Sequence, residues 1–275
     1  MANNPLQQYF RQPKIFVSLP SQGIYYAPGV INGDPNRLPI FGMTGMDEIL
    51  FKTPDALLTG ESTAKVINSC CPAITDPWQV SLVDLDLILS AIRIATFGNE
   101  LTVGHKCSKC DTAQDYALEL TSFIEHYSSC QYDNRVVLDE LSVVIRPLNY
   151  RQNTEFALRN FGIQQKLYQI NNLTDVDEQQ KASASIFEEL TILRNDLFTA
   201  GIESIDTGKV VVTEREFIEE WVNNIDLEVV DRVKAHMEEN RKRWIPPSQT
   251  VKCINCGHED QVLIELDQSN FFDKA

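Results

Sequence analysis

Lys106-Cys107-Ser108-Lys109-Cys110 and Lys252-Cys253-Ile254-Asn255-Cys256 repeat one pattern at two places separated by more than half the chain. Each runs into a stretch ending Glu-Leu, residues 111 to 120 after the first and 257 to 266 after the second. Each half therefore reads as strand, Cys-x-x-Cys knuckle, strand. One knuckle presents two sulfurs along an edge of a tetrahedron, and a second knuckle supplies the opposite edge, so Cys107, Cys110, Cys253 and Cys256 suit one zinc ion with bonds of about 2.3 Å. Two independent knuckles, each completed by another chain, are the first alternative. A thioredoxin-type redox dithiol is the second, but it needs a single pair between a strand and a helix. A closed four-thiolate site keeps no open position for activating water, so its role is structural. Iron also accepts four thiolates. Cross-linking the chain over so long a loop would remove roughly 4–5 kcal/mol of unfolded-chain entropy.

The rest of the chain supports a folded protein with protein partners. It has 275 residues, enough for one large or two ordinary domains, and 43% of them are apolar. The formal charge of −15 repels phosphate backbones, so direct nucleic-acid binding is not expected. No apolar run reaches the roughly 18 to 20 residues that span a bilayer. The best stretch, Leu82–Phe97, is interrupted by Asp84, Asp86 and Arg93, so no membrane role is expected. Met1-Ala2-Asn3-Asn4-Pro5 lacks a basic and an apolar signal region, which points to a reducing compartment where seven cysteines favour thiolate ligands over disulfides.

Residues 1 to 13 are polar with two prolines and read as an extended arm. Ile15-Phe16-Val17 and Leu38-Pro39-Ile40-Phe41 read as short strands joined by a long connection rich in Gly and Pro. Thr44 with Asp47 resembles a capping box for a helix over 45–52, Thr53-Pro54 marks a second helix, and Ser81 with Asp84 opens a third that Gly98 ends. The third carries two adjoining apolar stripes, Leu82, Leu85, Leu89, Ile92 and Leu87, Ile88, Ala91, Ala95, and should be almost wholly buried. Residues 136–138 and 141–145 flank Asp139-Glu140 as a hairpin. Helical periodicity follows over 150–172, 177–200, 214–224 and 227–244, with Asp175, Asp177 and Thr213-x-x-Glu216 as starts, Gly201 as a stop and Arg241-Lys242-Arg243 in the last turn.

The remaining reactive side chains have bland explanations. His105 and His258 adjoin the knuckles and are expected at the surface or behind the cysteines rather than as ligands. Cys70-Cys71 reads as a buried pair of small apolar residues, and Cys130 has no partner signal. Asp84 is expected to cap its helix and Asp86 to be exposed, while Glu214, Glu216, Glu219 and Glu220 form a solvated helix face or a docking surface. No nucleophile elbow, phosphate loop, dinucleotide fingerprint or His-Glu-x-x-His is present, so no enzyme is expected.

A succession of short matches covers the first 120 residues. It comprises Leu19-Pro20-Ser21-Gln22-Gly23 then Tyr25, Met43-Thr44-Gly45-Met46-Asp47-Glu48, Leu57-Leu58-Thr59-Gly60, Val66-Ile67-Asn68-Ser69-Cys70, Leu85-Asp86-Leu87-Ile88-Leu89 and Ala91-Ile92-Arg93-Ile94-Ala95-Thr96-Phe97-Gly98. In this order they resemble the baseplate hub assembly proteins of T-even-type contractile-tailed phages. The resemblance implies a myophage tail protein without catalytic residues, located in the virion baseplate and in the host cytoplasm during assembly. Its partners would be other tail and baseplate proteins, met as several copies in a symmetric assembly. The polar arm and the Phe271-Phe272 tail then read as segments that order on neighbouring subunits.

The expected fold is α+β: an arm (1–13), a mainly helical N-terminal domain with short strands (14–100), a zinc-ribbon-like module from two distant halves (101–130 plus 248–268), a β-hairpin and helical insert (131–247) and a tail (269–275). A structural or assembly component of the baseplate hub is the expected function. The alternatives are a transient hub chaperone absent from the mature virion and a zinc-ribbon regulator binding nucleic acid or polymerase.

Overall fold

The computed structural model describes residues 4–51, 59–171, 175–246 and 248–263. Within them the chain is α+β, with helices and short strands gathered into small sheets. It divides into two compact units, Met1–Gln131 with Arg243–Ala275, and Tyr132–Lys242.

The first unit starts from a short antiparallel pair, β1 (Ile15–Val17) with β2 (Leu38–Ile40), in which Ile15 lies opposite Ile40. Helices α1 (Gly45–Phe51), α2 (Glu61–Cys70) and α3 (Leu82–Phe97) follow. The capping box forms at α1: Thr44 N donates to Asp47 Oδ2 at 2.7 Å, and Asp47 N donates back to Thr44 Oγ1 at 3.3 Å. The Thr53-Pro54 start lies outside the described residues. Helix α3 is the unit's core. Leu87, Ile88, Ala91 and Ile92 are fully buried, and they share the interior with Leu38, Ile40, Ile67 and Ile74. Gly98 ends the helix in the left-handed region at φ 93°, and Gly42 sits so near that a Cβ there would meet the Ala95 carbonyl oxygen at 2.8 Å.

Two expectations about α3 are corrected. Ser81 makes no side-chain cap, and Asp84 is buried rather than capping. Its carboxylate accepts from Ser21 N at 2.9 Å, from the Ser21 hydroxyl and from Tyr26 OH at 2.8 Å. Asp86 is half-buried rather than exposed; burial pushes its carboxyl up to about 6, while a hydrogen bond with Tyr127 pulls the other way. Tyr127 and Phe123 are the buried residues of α4 (Thr121–Ser129), a helix absent from the sequence reading. Its nine residues carry only that i, i+4 apolar pair, and no side chain caps its start, so local signals are weak.

The arm is held rather than merely extended. Gln7–Tyr9 make a turn of 3-10 helix, and the Arg11 guanidinium donates to Gly42 O and Ser69 O, each at 2.6 Å, with Asp47 at 3.6 Å. Cys70 and Cys71 are fully buried, as their apolar reading implied.

In the second unit the hairpin β5 (Arg135–Val137) and β6 (Ser142–Ile145) is extended by β7 (Ile202–Asp206) and β8 (Val211–Val212) into a four-stranded antiparallel sheet of order β5-β6-β7-β8. The long helices α5 (Tyr150–Asn171) and α6 (Val176–Ala200) lie between β6 and β7 in sequence, and α7 (Arg215–Asn224) and α8 (Leu227–Arg243) complete the unit. Val143, Ile145, Phe198, Ile202, Ile205, Ile218 and Val233 pack together as its core. Strands β7 and β8 were not read from sequence. Their signal was Asp206-Thr207-Gly208-Lys209, a turn in which Gly208 takes φ 76° and donates its N–H to Asp206 Oδ1 at 2.9 Å. Helix α7 starts at Arg215 without a side-chain cap, so Thr213-x-x-Glu216 is not a working capping box.

Candidate metal centre

The ribbon is built from two antiparallel hairpins of the first unit. Strands β3 (Glu100–Lys106) and β4 (Ala113–Glu119) pair from Glu100 opposite Glu119 to Lys106 opposite Ala113. Strands β9 (Gln249–Lys252) and β10 (Glu259–Val262) pair from Gln249 opposite Val262 to Lys252 opposite Glu259. Each knuckle is the turn of its hairpin, and the two turns share one hydrogen-bond pattern. Cys107 N donates to Thr112 O at 3.0 Å and Asp111 N to Cys107 O at 3.0 Å; Cys253 N donates to His258 O at 2.8 Å and Gly257 N to Cys253 O at 2.9 Å. The residue after the second cysteine must then turn left-handed. Asp111 does so at φ 58° and Gly257 at φ 68°, the first tolerating the region and the second adopting it freely.

These turns bring all four expected cysteines together. Their sulfurs lie within 4.8 Å of one another, with Cys107 to Cys256 at 3.7 Å and Cys110 to Cys253 at 3.6 Å. Those separations are far beyond an S–S bond, and they approach the edge of about 3.8 Å that a tetrahedron with bonds of about 2.3 Å requires. Cys107 and Cys253 are buried, Cys110 is half-buried and Cys256 is exposed.

Cys107 and Cys110 are driven in opposite directions. Burial pushes Cys107 up to about 12, while hydrogen bonds from the Thr112 side chain and main chain hold Cys110 down to about 6. A divalent cation would be held by all four as thiolates. The donor set is closed and sulfur-only, so it can hold structure and offers no site for a substrate.

Polar side chains tie each knuckle to the other hairpin. Asp260 of β10 accepts from Ser108 N at 3.1 Å and from the Ser108 hydroxyl. Gln114 of β4 accepts from Ile254 N at 3.1 Å. His105 Nε2 lies 3.3 Å and His258 Nε2 3.5 Å from the Asp260 carboxylate, so neither histidine joins the sulfurs and both stand behind them. The Ser108 hydrogen bonds first, with the histidines adding to them, hold Asp260 down to about 2. Asp260, Gln114 and Ser108 were not singled out from sequence. The available signal was positional, because a polar side chain that can accept stands four residues after the second cysteine in both halves. Cys130 is apart from this centre, with Sγ 3.1 Å from Arg243 O and 3.7 Å from His126 Nε2.

Comparison with curated proteins returns no match, and comparison with solved structures returns none. The family model for the T4 bacteriophage base plate protein matches residues 46–273, which takes in α1 from its second residue, α2, α3, both hairpins with their knuckles and the whole second unit. On that match, which covers well over half of the sequence, the chain belongs to the T4 bacteriophage base plate protein family.

Proposed function

We propose that this phage tail baseplate protein is a built-in part of the baseplate hub, and that one zinc ion on Cys107, Cys110, Cys253 and Cys256 clamps the chain on either side of its insert. The observation that carries the clamp is the placing of four sulfurs from two distant segments within 4.8 Å of one another. The role is structural rather than catalytic. In this reading the arm (1–13) and tail (269–275) dock on neighbouring tail subunits, and the insert (131–247) and N-terminal domain (14–100) are joined through the ribbon (101–130 plus 248–268). Several copies meet in a symmetric assembly. Among the described residues no helix is long and apolar enough to cross a membrane.

Metal analysis of the purified full chain tests the clamp. About one zinc per chain should fall to little or none in Cys253→Ser, because three thiolates retain a structural zinc poorly. Equal metal content in both would refute the shared site. Mass spectrometry of purified tails tests the placement: stoichiometric peptides support a permanent component, and their absence would favour a transient assembly chaperone.

A further inference from the structure

The two knuckles are braced by matching contacts that cross between hairpins. In each half, the main-chain N–H of the residue after the first cysteine points at a side chain from the opposite half. Ser108 N meets Asp260, and Ile254 N meets Gln114, at 3.1 Å in both cases. The acceptors occupy equivalent places, each four residues beyond the second cysteine of its own half and on its outgoing strand, β10 or β4. The ribbon is thus approximately two-fold symmetric in its hydrogen bonds as well as its sulfurs. The braces differ in strength. Asp260 is charged, also takes the Ser108 hydroxyl and has His105 and His258 beside it, whereas Gln114 is neutral and adds one long bond from Nε2 to Lys252 O at 3.4 Å. Charge-assisted hydrogen bonds are roughly twice as strong as neutral ones.

We infer that Asp260 and Gln114 are the positioning residues of the four-cysteine centre, each reaching across to fix the opposite knuckle, and that they set how long a bound metal is retained, Asp260 more than Gln114. This rests on the clamp reading above. A metal leaves a four-thiolate site when one pair of sulfurs swings away from the other. The swing must break the brace between the hairpins, and a ribbon without its braces opens more often. The ligands themselves are unchanged, so the geometry of the bound metal should survive the loss of a brace.

The test uses the full-length chain loaded with zinc, challenged with excess of a chromophoric chelator, alongside a cobalt-loaded sample whose visible spectrum reports tetrahedral thiolate coordination. Asp260→Ala should release zinc about 10- to 100-fold faster than wild type, matching the scale by which loss of such a partner weakens metal affinity. Gln114→Ala should accelerate release less, and Asp260→Asn should restore part of the retention because an amide oxygen still accepts from Ser108 N. Ser108→Ala, which deletes only the hydroxyl, should fall between wild type and Asp260→Ala, and combining the two should add little beyond Asp260→Ala alone. The cobalt spectrum should keep its tetrahedral form throughout. Release within twofold of wild type in both Asp260→Ala and Gln114→Ala, with metal content unchanged, overturns the positioning roles and leaves the clamp standing. A collapsed cobalt spectrum in Asp260→Asn and Ser108→Ala overturns them too, since the braces would then build the site rather than retain its metal. A wild-type chain that binds no metal through its thiols overturns both proposals.

Discussion

The core around α3 and the ribbon that follows it are consecutive in sequence and are held together by different means. Apart from the half-buried Leu82, helix α3 buries both its apolar stripes, so removal of hydrocarbon from water supplies the stabilisation, at about 25 cal/mol per Å². The ribbon strands bury little. In β3 only Leu101 is buried, in β4 only Leu118, in β9 Val251 and in β10 Val262. A lone two-stranded hairpin is marginal in water, and the ribbon consists of two. What joins them is four sulfurs and a few polar braces. Hydrocarbon burial is therefore the main support of the first region, while its neighbour buries too little to rest on packing alone.

Metal removal should separate the two most sharply. Stripping the full chain with a chelator should leave amide protection in α3 near its original level and abolish it over 100–106, 113–119, 249–252 and 259–262, read by hydrogen exchange with mass spectrometry. Retained ribbon protection would mean that the hairpins stand without metal. A smaller effect of the opposite locality is expected from Leu87→Ala. Emptying a fully buried leucine site should cost about 2–5 kcal/mol in urea unfolding, whereas Thr102→Ala on the exposed face of β3 should stay within about 0.5 kcal/mol. Similar costs at the two positions would erase the distinction between core and ribbon.

The smallest effect concerns pH and sharpens the picture of α3. Burial, opposed by hydrogen bonds from Ser21 and Tyr26, pushes Asp84 up to about 6, and Asp86 lies near the same value. Both folded values exceed the ordinary carboxylate value of about 3.9, so the native state holds protons that the unfolded chain has released. Their stabilising contribution is complete below about pH 4 and is lost as pH rises through about 6. Urea midpoints should accordingly fall across that window, and the fall should flatten in Asp84→Asn with Asp86→Asn. An unchanged slope in the double variant would show that these carboxylates do not govern it.

Periodicity made much of this molecule legible. The stripes of α3, the capping box at Thr44 and Asp47, and the long helices of the second unit follow from spacing within one or two turns, which is where side chains on one helix meet. The Cys-x-x-Cys pairs and the strands beside them are equally local patterns. The mixed α+β character and the meeting of four cysteines are thus legible in the sequence. Strands β7 and β8 escaped because five and two residues carry too short an alternation, and α4 because one i, i+4 pair is a weak signal.

What sequence alone determined, then, is which segments become helix, strand or knuckle. Tertiary structure decided where polar side chains spend their hydrogen bonds. Asp84 had an adjacent helix start to cap and instead serves Ser21, 63 positions earlier, because α3 is buried on the face that carries it. Asp260 reaches Ser108 across 152 positions, and no local rule selects that partner. The physical reason is common to both. Element type follows from sterics and from apolar spacing over a few residues, whereas a buried or bridging polar group takes whatever donor the completed fold sets beside it.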